Sequence, residues 1–526
     1  MKKLSQLIIS IVIVISITLM ASCNTNSSND IEIIVDGGGQ NASFNSTLSM
    51  IYDEYANPYP YNTLQKLADE WNSSHSGYKI TIASSSINND RETMVPALNQ
   101  GTAPDILYYL STTIAEDMSK GWFVNLNDYL DQPNIYSKVD EAGSVQWKDI
   151  YNSEEYATTI APNGEKYTIE LEQNPIGIVY NKSLFNLAGI TKEPTTYKEF
   201  MEAQDAIHDY SITQGKDNST NTETYICPYF PYYSWYDMCI KSAMYGDVID
   251  YFDVLDKNGV VNSEEFVRAY MTKDNEGNRL FSPNDSRNVE AYRLIKLMTK
   301  YYPASFESYY AEQQFTIGNL AMMEVTGGTI RKIVDAVSDN FEVGVFSYPV
   351  IETQPSDKEY SEYYSTMNTE NKYVRRGMSG YSAGWAVTKT AINKGEGTIN
   401  ACTDFLQFVS CYSNNDRLIN DKGFSIPLSG NTEYSYFSKL SADYQSDIKN
   451  ENTLAWSAVC DSNAMNKEYF DAVYLTRIEI IKASNSTAVK TLLDNLVSNF
   501  TNSANSIYTV NKWDKDSWPT YNDTLN

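Results

Sequence analysis

The chain has 526 residues, enough for several lobes with cores of their own, so small disulfide-stabilised scaffolds are excluded. Lys and Arg total 40 against 67 Asp and Glu, and the resulting net charge of −27 disfavours nucleic acid as a partner because it repels phosphate backbones. Only two histidines occur, whereas 42 tyrosines offer flat amphipathic rings for surfaces and clefts. We therefore expect neither a metal site nor a cofactor.

The first residues predict export and lipid attachment. Two lysines precede an apolar run over residues 7–20, and two small residues lead from it to Cys23. A transmembrane anchor is the alternative, but the run is short for a span. The junction resembles a lipobox, although Met20 stands where that pattern favours Leu. We predict a signal peptide over 1–22 and a lipidated Cys23 with a polar tether over 23–30, which together hold the protein on the extracellular face of the cell membrane.

Alternating strands and helices are predicted after the tether. Apolar or alternating runs predict strands at 31–35, 78–82 and 106–110. Helical spacing of apolar residues predicts one helix through Leu64 and Trp71, and a second through Met94 and Leu98 that Gly101 closes. Such alternation is typical of a parallel sheet with helices on both sides.

The pattern recurs beyond residue 166. Strands are predicted at 167–171 and 176–180, followed by a short helix that Gly189 ends and by a helix that Thr196 and Glu199 begin as a capping box. A second α/β lobe therefore starts near residue 171.

Six segments carry characteristic spacings of aromatic residues, glycine and proline. They are GTAPD at 101–105, IVYNKSLFNLAGITKEPTTYKEF at 178–200, FTIGNLAMMEVTGG at 315–328, FEVGVFSYP at 341–349, SGYSAGWAVTK at 379–389 and GFSIP at 423–427. In this order, and across residues 31–430, they resemble the family 1 extracellular solute-binding proteins of ABC importers.

The resemblance implies an α/β fold with two lobes, of the type II periplasmic-binding-protein kind. Each lobe would be a mainly parallel sheet flanked by helices, with the ligand in the cleft between them. The implied chain crossings lie near 169–172, 380–383 and 428–431. The lobes would comprise residues 31–170 with 381–430, and residues 171–380 with 431–526.

The resemblance also implies a function, which is capture of a carbohydrate, specifically an oligosaccharide, and its delivery to the permease subunits of an ABC importer. The protein would be a monomer without enzymatic activity. One alternative is a surface enzyme acting on glycans, but no motif fixes the catalytic carboxylate pair that it needs. Another is a binding protein for a non-sugar solute, and the scarcity of arginine near the crossings disfavours an anion.

A sugar cleft combines carboxylates and amides, which bind hydroxyls, with aromatic rings, which cover C–H faces. On these grounds, together with the resemblance, the predicted ligand contacts are Tyr109, Thr112, Glu172, Gln173, Tyr229, Tyr232, Trp235, Thr326, Tyr381 and Trp385.

The choices within this set have separate reasons. The aromatic segment CPYFPYYSW at 227–235 corresponds to one that feeds the cleft in relatives. Tyr108 and Tyr109 end a buried strand, at the end where open α/β sheets bind ligands. Strand alternation lets only one of them face the cleft, and Tyr109 is preferred. At the first crossing Glu172 is preferred to Glu170. Near Thr326 the Trp of many relatives is missing, so Tyr381 or Trp385 would substitute.

Two local patterns stay open. The segment VLDKNGVVNSEE at 254–265 matches an EF-hand loop except that Val254 occupies the first ligand position, so an acidic turn is favoured over a calcium site. Five cysteines follow Cys23, and buried thiols are favoured over a bridge between Cys227 and Cys239.

Overall fold

A computed structural model describes residues 31–36, 59–83, 91–110, 117–138, 146–151, 156–157, 159–161, 163–173, 175–231, 236–245, 248–257, 261–337, 339–351, 377–379, 383–422, 426–429, 441, 444–445, 453–455, 465–483 and 487–520. Its strands are β1 (Ile31–Asp36), β2 (Tyr78–Ala83), β3 (Ile106–Leu110), β4 (Glu172–Gln173), β5 (Ile176–Asn181), β6 (Cys227–Phe230), β7 (Leu320–Thr326), β8 (Val343–Ser347), β9 (Gly377–Ser379), β10 (Ala383–Val387), β11 (Ile426–Pro427) and β12 (Thr453–Ala455).

The helices lie between and after these strands. They are α1 (Tyr59–Ser74), α2 (Arg91–Gln100), α3 (Asn127–Leu130), α4 (Lys182–Leu187), α5 (Tyr197–Thr213), α6 (Tyr236–Tyr245), α7 (Ile249–Phe252), α8 (Ser263–Met271), α9 (Ser286–Met298), α10 (Ala311–Thr316), α11 (Gly327–Val337), α12 (Lys389–Lys394), α13 (Glu396–Ser410), α14 (Tyr412–Lys422), α15 (Lys467–Lys482) and α16 (Thr487–Asn511). None of the described helices is both long and apolar enough to cross a bilayer.

The first four-stranded sheet has the order β10-β3-β1-β2. Strand β1 pairs in parallel with both β2 and β3, as the alternation of strands and helices predicts. The predicted strands at 31–35, 78–82 and 106–110 are confirmed to within one residue. Helix α1 packs on this sheet through Leu64 and Trp71, which are buried in the same core as Ile33 and Ile80.

The second four-stranded sheet has the order β6-β7-β5-β8. Here β6 and β7 are parallel, but β5 is antiparallel to both β7 and β8, just as β10 is antiparallel to β3 in the first sheet. The expectation of mainly parallel sheets therefore misses one reversed strand in each. Strand β5 is reversed because it enters its sheet directly from the first crossing, at the edge where β7 ends.

The strand predicted at 167–171 differs from expectation. Within it Ile169 forms a single bridge, to Trp385 of β10, and the ladder proper begins only at β4, which pairs with β11. The reason is topological. This segment leaves one sheet before it reaches the other, so a continuous partner strand is not available along its length.

The predicted helix ends are mostly confirmed. Gly101 and Gly189 follow α2 and α4 in the left-handed region, with φ of 67° and 77°. At the start of α5 the Thr196 hydroxyl oxygen accepts from the Glu199 N–H, but the Glu199 carboxylate accepts from Thr195 rather than from Thr196, so the capping box is displaced by one residue. A hydrogen bond from the Lys192 ammonium to the Glu199 carboxylate lowers the pKa of Glu199 to about 2.

Buried apolar side chains form separate cores around the two sheets. One core unites strands β1–β3 and β10 with α1, α13 and α14, and the other unites β5–β8 with α5, α6, α8, α9, α15 and α16. The residue boundaries of the lobes stay predictions. Four of the cysteines, Cys227, Cys239, Cys402 and Cys411, are buried thiols with no disulfide among them, which confirms the favoured interpretation for those four.

Candidate functional site

The first crossing brings two predicted ligand contacts to the junction between the sheets. Glu172 and Gln173 form β4, whose antiparallel register places them opposite Pro427 and Ile426 of β11. Their side chains are 8% and 4% exposed. A carboxylate and an amide, each able to hydrogen-bond to hydroxyl groups, therefore occupy consecutive positions of a short ladder between the lobes. Because successive side chains of a strand point to opposite faces, the two groups face opposite sides of this ladder.

Thr326 lies at the same edge of the second sheet. It ends β7 and pairs with Ile176, the first residue of β5, while the next residue, Gly327, donates its N–H to the Pro175 carbonyl over 2.9 Å. Thr326 therefore lies beside the residues at which the chain enters the second sheet from the first crossing. Of the predicted contacts that the structure describes, Glu172, Gln173 and Thr326 thus lie at or beside this crossing.

Tyr444, which sequence analysis missed, supports this edge. Its hydroxyl donates to the Pro175 carbonyl over 3.2 Å, and its fully buried ring lies against Gly177. A Cβ added at Gly177 would come within 2.5 Å of the Tyr444 ring, so only glycine leaves room for it. No local sequence pattern connects residues 267 positions apart. The glycine at position 177 is the one trace of this contact in the sequence.

Glu170 has a different role from Glu172. Its carboxylate accepts from the Lys166 ammonium and from the Thr168 hydroxyl, each over 2.5 Å, and the ion pair is almost completely buried. Burial lowers the pKa of Lys166, and the neighbouring carboxylate opposes that shift. These bonds engage the Glu170 carboxylate inside the protein, which supports the choice of Glu172 as the ligand contact.

The second crossing strand packs directly on this ion pair. Ile169 and Trp385 exchange two backbone hydrogen bonds of 3.0 and 2.8 Å. Gly384 of β10 faces this segment, because a Cβ added there would meet a Glu170 carboxylate oxygen at 2.9 Å and the Ile169 backbone at 3.0 Å. The predicted contact Trp385 is 7% exposed and packs in the core, with its ring centroid 5.6 Å from that of Tyr108.

The placement of Tyr109 does not support it as a ligand contact. Its side chain is fully buried, its hydroxyl donates to the Asp117 carboxylate, and its ring lies 4.6 Å from Phe123. The side chain of Tyr108 points to the opposite face and is half-buried. Strand alternation correctly separated the two tyrosines, but the pattern alone does not say which face is covered by the loop around Asp117.

Tyr229 is likewise a core residue in the structure. It is fully buried and packs its ring against the edge of Phe200 at 4.9 Å. Its register partner on β7 is Met322, four residues before Thr326, which at about 3.3 Å per residue leaves it roughly 13 Å from the sheet edge. A stacking role for Tyr229 therefore gains no support from this position.

Four predicted ligand contacts and the lipidation site lie outside the described residues. They are Thr112, Tyr232, Trp235, Tyr381 and Cys23.

The EF-hand-like segment contains a convergent set of carboxylates. Oxygen atoms of Asp253, Asp256 and Glu265 lie within 4.8 Å of one another. Glu265 also caps α8, because its carboxylate accepts from the Leu255 and Asn262 N–H groups over 2.8 and 3.2 Å. Burial, opposed by these bonds, raises the pKa of Glu265 to about 7. The capping contacts agree with an acidic turn.

Comparison with known proteins identifies the family. Residues 55–410, more than half of the chain, match the sequence profile described as bacterial extracellular solute-binding protein. The chain belongs to this family. The resemblance inferred from the six motifs is thereby confirmed. No curated protein matches the chain at a significant level.

Solved structures of this kind share the fold. A family 1 extracellular solute-binding protein from Bifidobacterium longum subsp. infantis is 13% identical, with a TM-score of 0.55 and coverage of 90% of this chain and 99% of its own. The GacH receptor of Streptomyces glaucescens is 14% identical, with a TM-score of 0.57 and coverage of 90% and 99%. A chitin oligosaccharide binding protein is also 14% identical, with a TM-score of 0.57 and coverage of 91% and 100%. The predicted two-lobed α/β fold of a solute-binding protein is confirmed.

Proposed function

We propose that this solute-binding protein captures a carbohydrate, specifically an oligosaccharide, between its lobes and delivers it to the permease subunits of an ABC importer. It acts as a monomer that binds without chemical turnover, anchored by a lipid on Cys23. The observation that carries the proposal is the family membership together with the position of Glu172 at the first crossing, on the short ladder between the two sheets. Hydroxyl-rich ligands need hydrogen-bonding groups at a site that closes around them.

The structural neighbours support a sugar. The GacH receptor has been solved in complex with acarbose and an acarbose homolog, and a second neighbour is named for chitin oligosaccharides. We extend that ligand class to this chain because its own crossing offers neutral and acidic hydrogen-bonding groups. Of the described basic side chains, the one at the crossing, Lys166, is already paired with Glu170.

A binding screen tests the ligand class. Thermal unfolding is followed with a panel of mono- and oligosaccharides that includes acarbose and chitin oligosaccharides, since a ligand that binds only the folded state raises the unfolding temperature. Scattering with a saturating hit should give a smaller radius of gyration as the lobes close. The hit should be recovered chemically unchanged after prolonged incubation. A panel without any hit, or cleavage of the bound sugar, would contradict the proposal.

Calorimetric titration of Glu172→Gln tests the site with the sugar found in the screen. Hydrogen bonds to charged groups contribute about 1.5 to 3 kcal/mol, so the variant should bind roughly 10- to 100-fold more weakly. Glu479→Gln on the exposed face of α15 is the matched control and should bind like wild type. Equal affinity of all three proteins would place the site elsewhere.

The anchor is tested separately. A Cys23→Ser variant should be lost from the membrane fraction, because the residue that would carry the lipid is gone. If the variant stays with the membrane as wild type does, the uncleaved apolar run over residues 7–20 is the anchor instead.

A further inference from the structure

A buried asparagine on α14 connects the first chain crossing with the residue that follows β11. The side-chain Nδ2 of Asn415 donates to the Leu171 carbonyl over 2.7 Å, and its Oδ1 accepts from the Leu428 N–H over 2.8 Å. Asn415 is 0% exposed, so its amide is shielded from water, and Leu428 is partly buried. One side-chain amide thus holds the backbone of the first crossing and the backbone that follows β11.

The register of the crossing ladder explains this position. Strands β4 and β11 pair Glu172 with Pro427, and the same register brings Leu428 opposite Leu171. At that place both backbone groups bond to the amide of Asn415. The side chain therefore extends the two-residue ladder by one position, which lies on the first-lobe side of Glu172.

Helix α14 itself is fixed to the first lobe. It packs on α1 and α13, and its Leu418 and Ile419 are buried in the same core as Trp71. The next residue on α14, Asp416, accepts a hydrogen bond from the Ser429 hydroxyl. The first-lobe end of the first crossing and the residues that follow β11 are thus held by consecutive side chains of one anchored helix.

We propose that Asn415 is a positioning residue of the ligand cleft. By clamping Leu171 to Leu428 it fixes the position of Glu172 at the cleft and the place where the chain leaves the first lobe. This inference rests on the proposed function, since it assigns Glu172 to the cleft. The bonds of a buried amide are costly to leave unmade, which suits Asn415 to a fixed joint.

The test measures the distance between the lobes without any ligand, so it stands apart from the sugar proposal. Spin labels are placed at Ile135→Cys in the first lobe and Leu187→Cys in the second, whose native side chains are 70% and 60% exposed. Cys23 and Cys460 are replaced by Ser, while the four buried thiols are left in place. The distance distribution is recorded for the labelled protein and for Asn415→Ala and Asn415→Asp variants of it.

Asn414→Ala is the matched control. Asn414 neighbours Asn415 on α14, but its amide donates to the Phe408 carbonyl over 2.9 Å and accepts from Arg417, both within the first lobe. A general loosening of α14 would broaden the distribution in the control as well. Positioning by Asn415 predicts a broader distribution in both Asn415 variants and an unchanged one in the control. Distributions in the Asn415 variants as narrow as in the control would overturn the proposal.

Hydrogen exchange tests the Asn415 hydrogen bonds by a second measurement. In Asn415→Ala the Leu428 amide should exchange roughly 2- to 10-fold faster than in wild type, as expected for one lost hydrogen bond. Amides of β5, which Asn415 does not bond, should keep their rates. Should neither Asn415 variant fold, wild-type exchange decides: a Leu428 amide as slow as those of β5 supports the clamp, and one that exchanges like an unprotected peptide overturns it.

Discussion

Glu170 and Glu172 lie two residues apart in the first crossing and are both buried, yet they lie against different parts of the molecule. Glu170 is enclosed by Lys166, Thr168 and the backbone beside Gly384, all on the first-lobe side. Glu172 lies on a two-residue ladder that joins the lobes. A buried carboxylate with a cation serves the fold, whereas one placed at a junction is suited to a ligand. The residue type is the same in both cases, and only the neighbours differ.

The sharpest test of this contrast removes the cation. Lys166→Met leaves the buried Glu170 carboxylate without its ammonium partner and should lower the free energy of unfolding by about 3 to 5 kcal/mol. Adding Glu170→Leu should restore most of that loss, because the uncompensated charge is then gone. Urea unfolding measures both.

The exposed i,i+4 pair of Lys467 and Asp471 is the control, with side chains 61% and 51% exposed. Lys467→Met should cost less than about 1 kcal/mol. If Lys166→Met costs no more than Lys467→Met, then the Glu170 ion pair does not stabilise the crossing, and the contrast with Glu172 fails.

Glu265 shows what a buried carboxylate does without a lysine beside it. Its pKa of about 7 in the folded protein exceeds the ordinary 4.5, so the folded state binds this proton more tightly. The resulting contribution to stability is complete below about pH 4.5 and is lost as the pH rises through 7. Between pH 5 and 8 the loss should be about 2 to 3 kcal/mol.

Unfolding measured across this pH range checks the assignment. Glu265→Gln does not ionise, so its stability should fall less with rising pH than that of wild type. Glu479→Gln, with an exposed side chain, should keep the wild-type slope. Parallel curves for Glu265→Gln and wild type would mean that Glu265 titrates as an ordinary surface carboxylate.

Gly384 tests how tightly the two crossings pack beside Glu170. Gly384→Ala places a methyl group 2.9 Å from the Glu170 carboxylate and 3.0 Å from the Ile169 backbone, and should cost about 1 to 3 kcal/mol in urea unfolding. Gly397→Ala, in α13, meets only the side chain of Tyr78, whose hydroxyl end is free to shift, so its cost should be smaller. If the two variants lose the same unfolding free energy, then the packing of the crossing beside Glu170 adapts to a methyl group as easily as the Tyr78 side chain does.

The smallest effect on stability is expected at Glu172. Glu172→Gln keeps the volume of the side chain and leaves the backbone ladder with Pro427 intact, so the unfolding free energy should change by less than about 1 kcal/mol. Glu170→Gln, measured alongside by thermal unfolding, should lose more because it breaks the ion pair with Lys166. The reverse order would exchange the roles of the two glutamates.

Much of the local structure could be predicted from residues within a few positions of each other. Apolar alternation located β1, β2 and β3, and glycine located the ends of α2 and α4, because strand faces and left-handed helix ends depend on nearby residues alone. The same local spacing in six segments carried the family resemblance, since those motifs are read within single segments. Local patterns could not predict the directions of β5 and β10, because strand direction depends on where the chain enters the sheet.

What only the tertiary structure decided are the contacts between distant parts of the chain. The hydrogen bond from Asn415 to Leu171 spans 244 positions, and that from Tyr444 to Pro175 spans 269. The core placement of Tyr109 depends on Asp117 and Phe123, which follow it in the chain and contact its hydroxyl and its ring. Side-chain chemistry is written in the sequence, but whether a carboxylate meets an ammonium, a backbone amide or a cleft depends on which segments the fold packs against it.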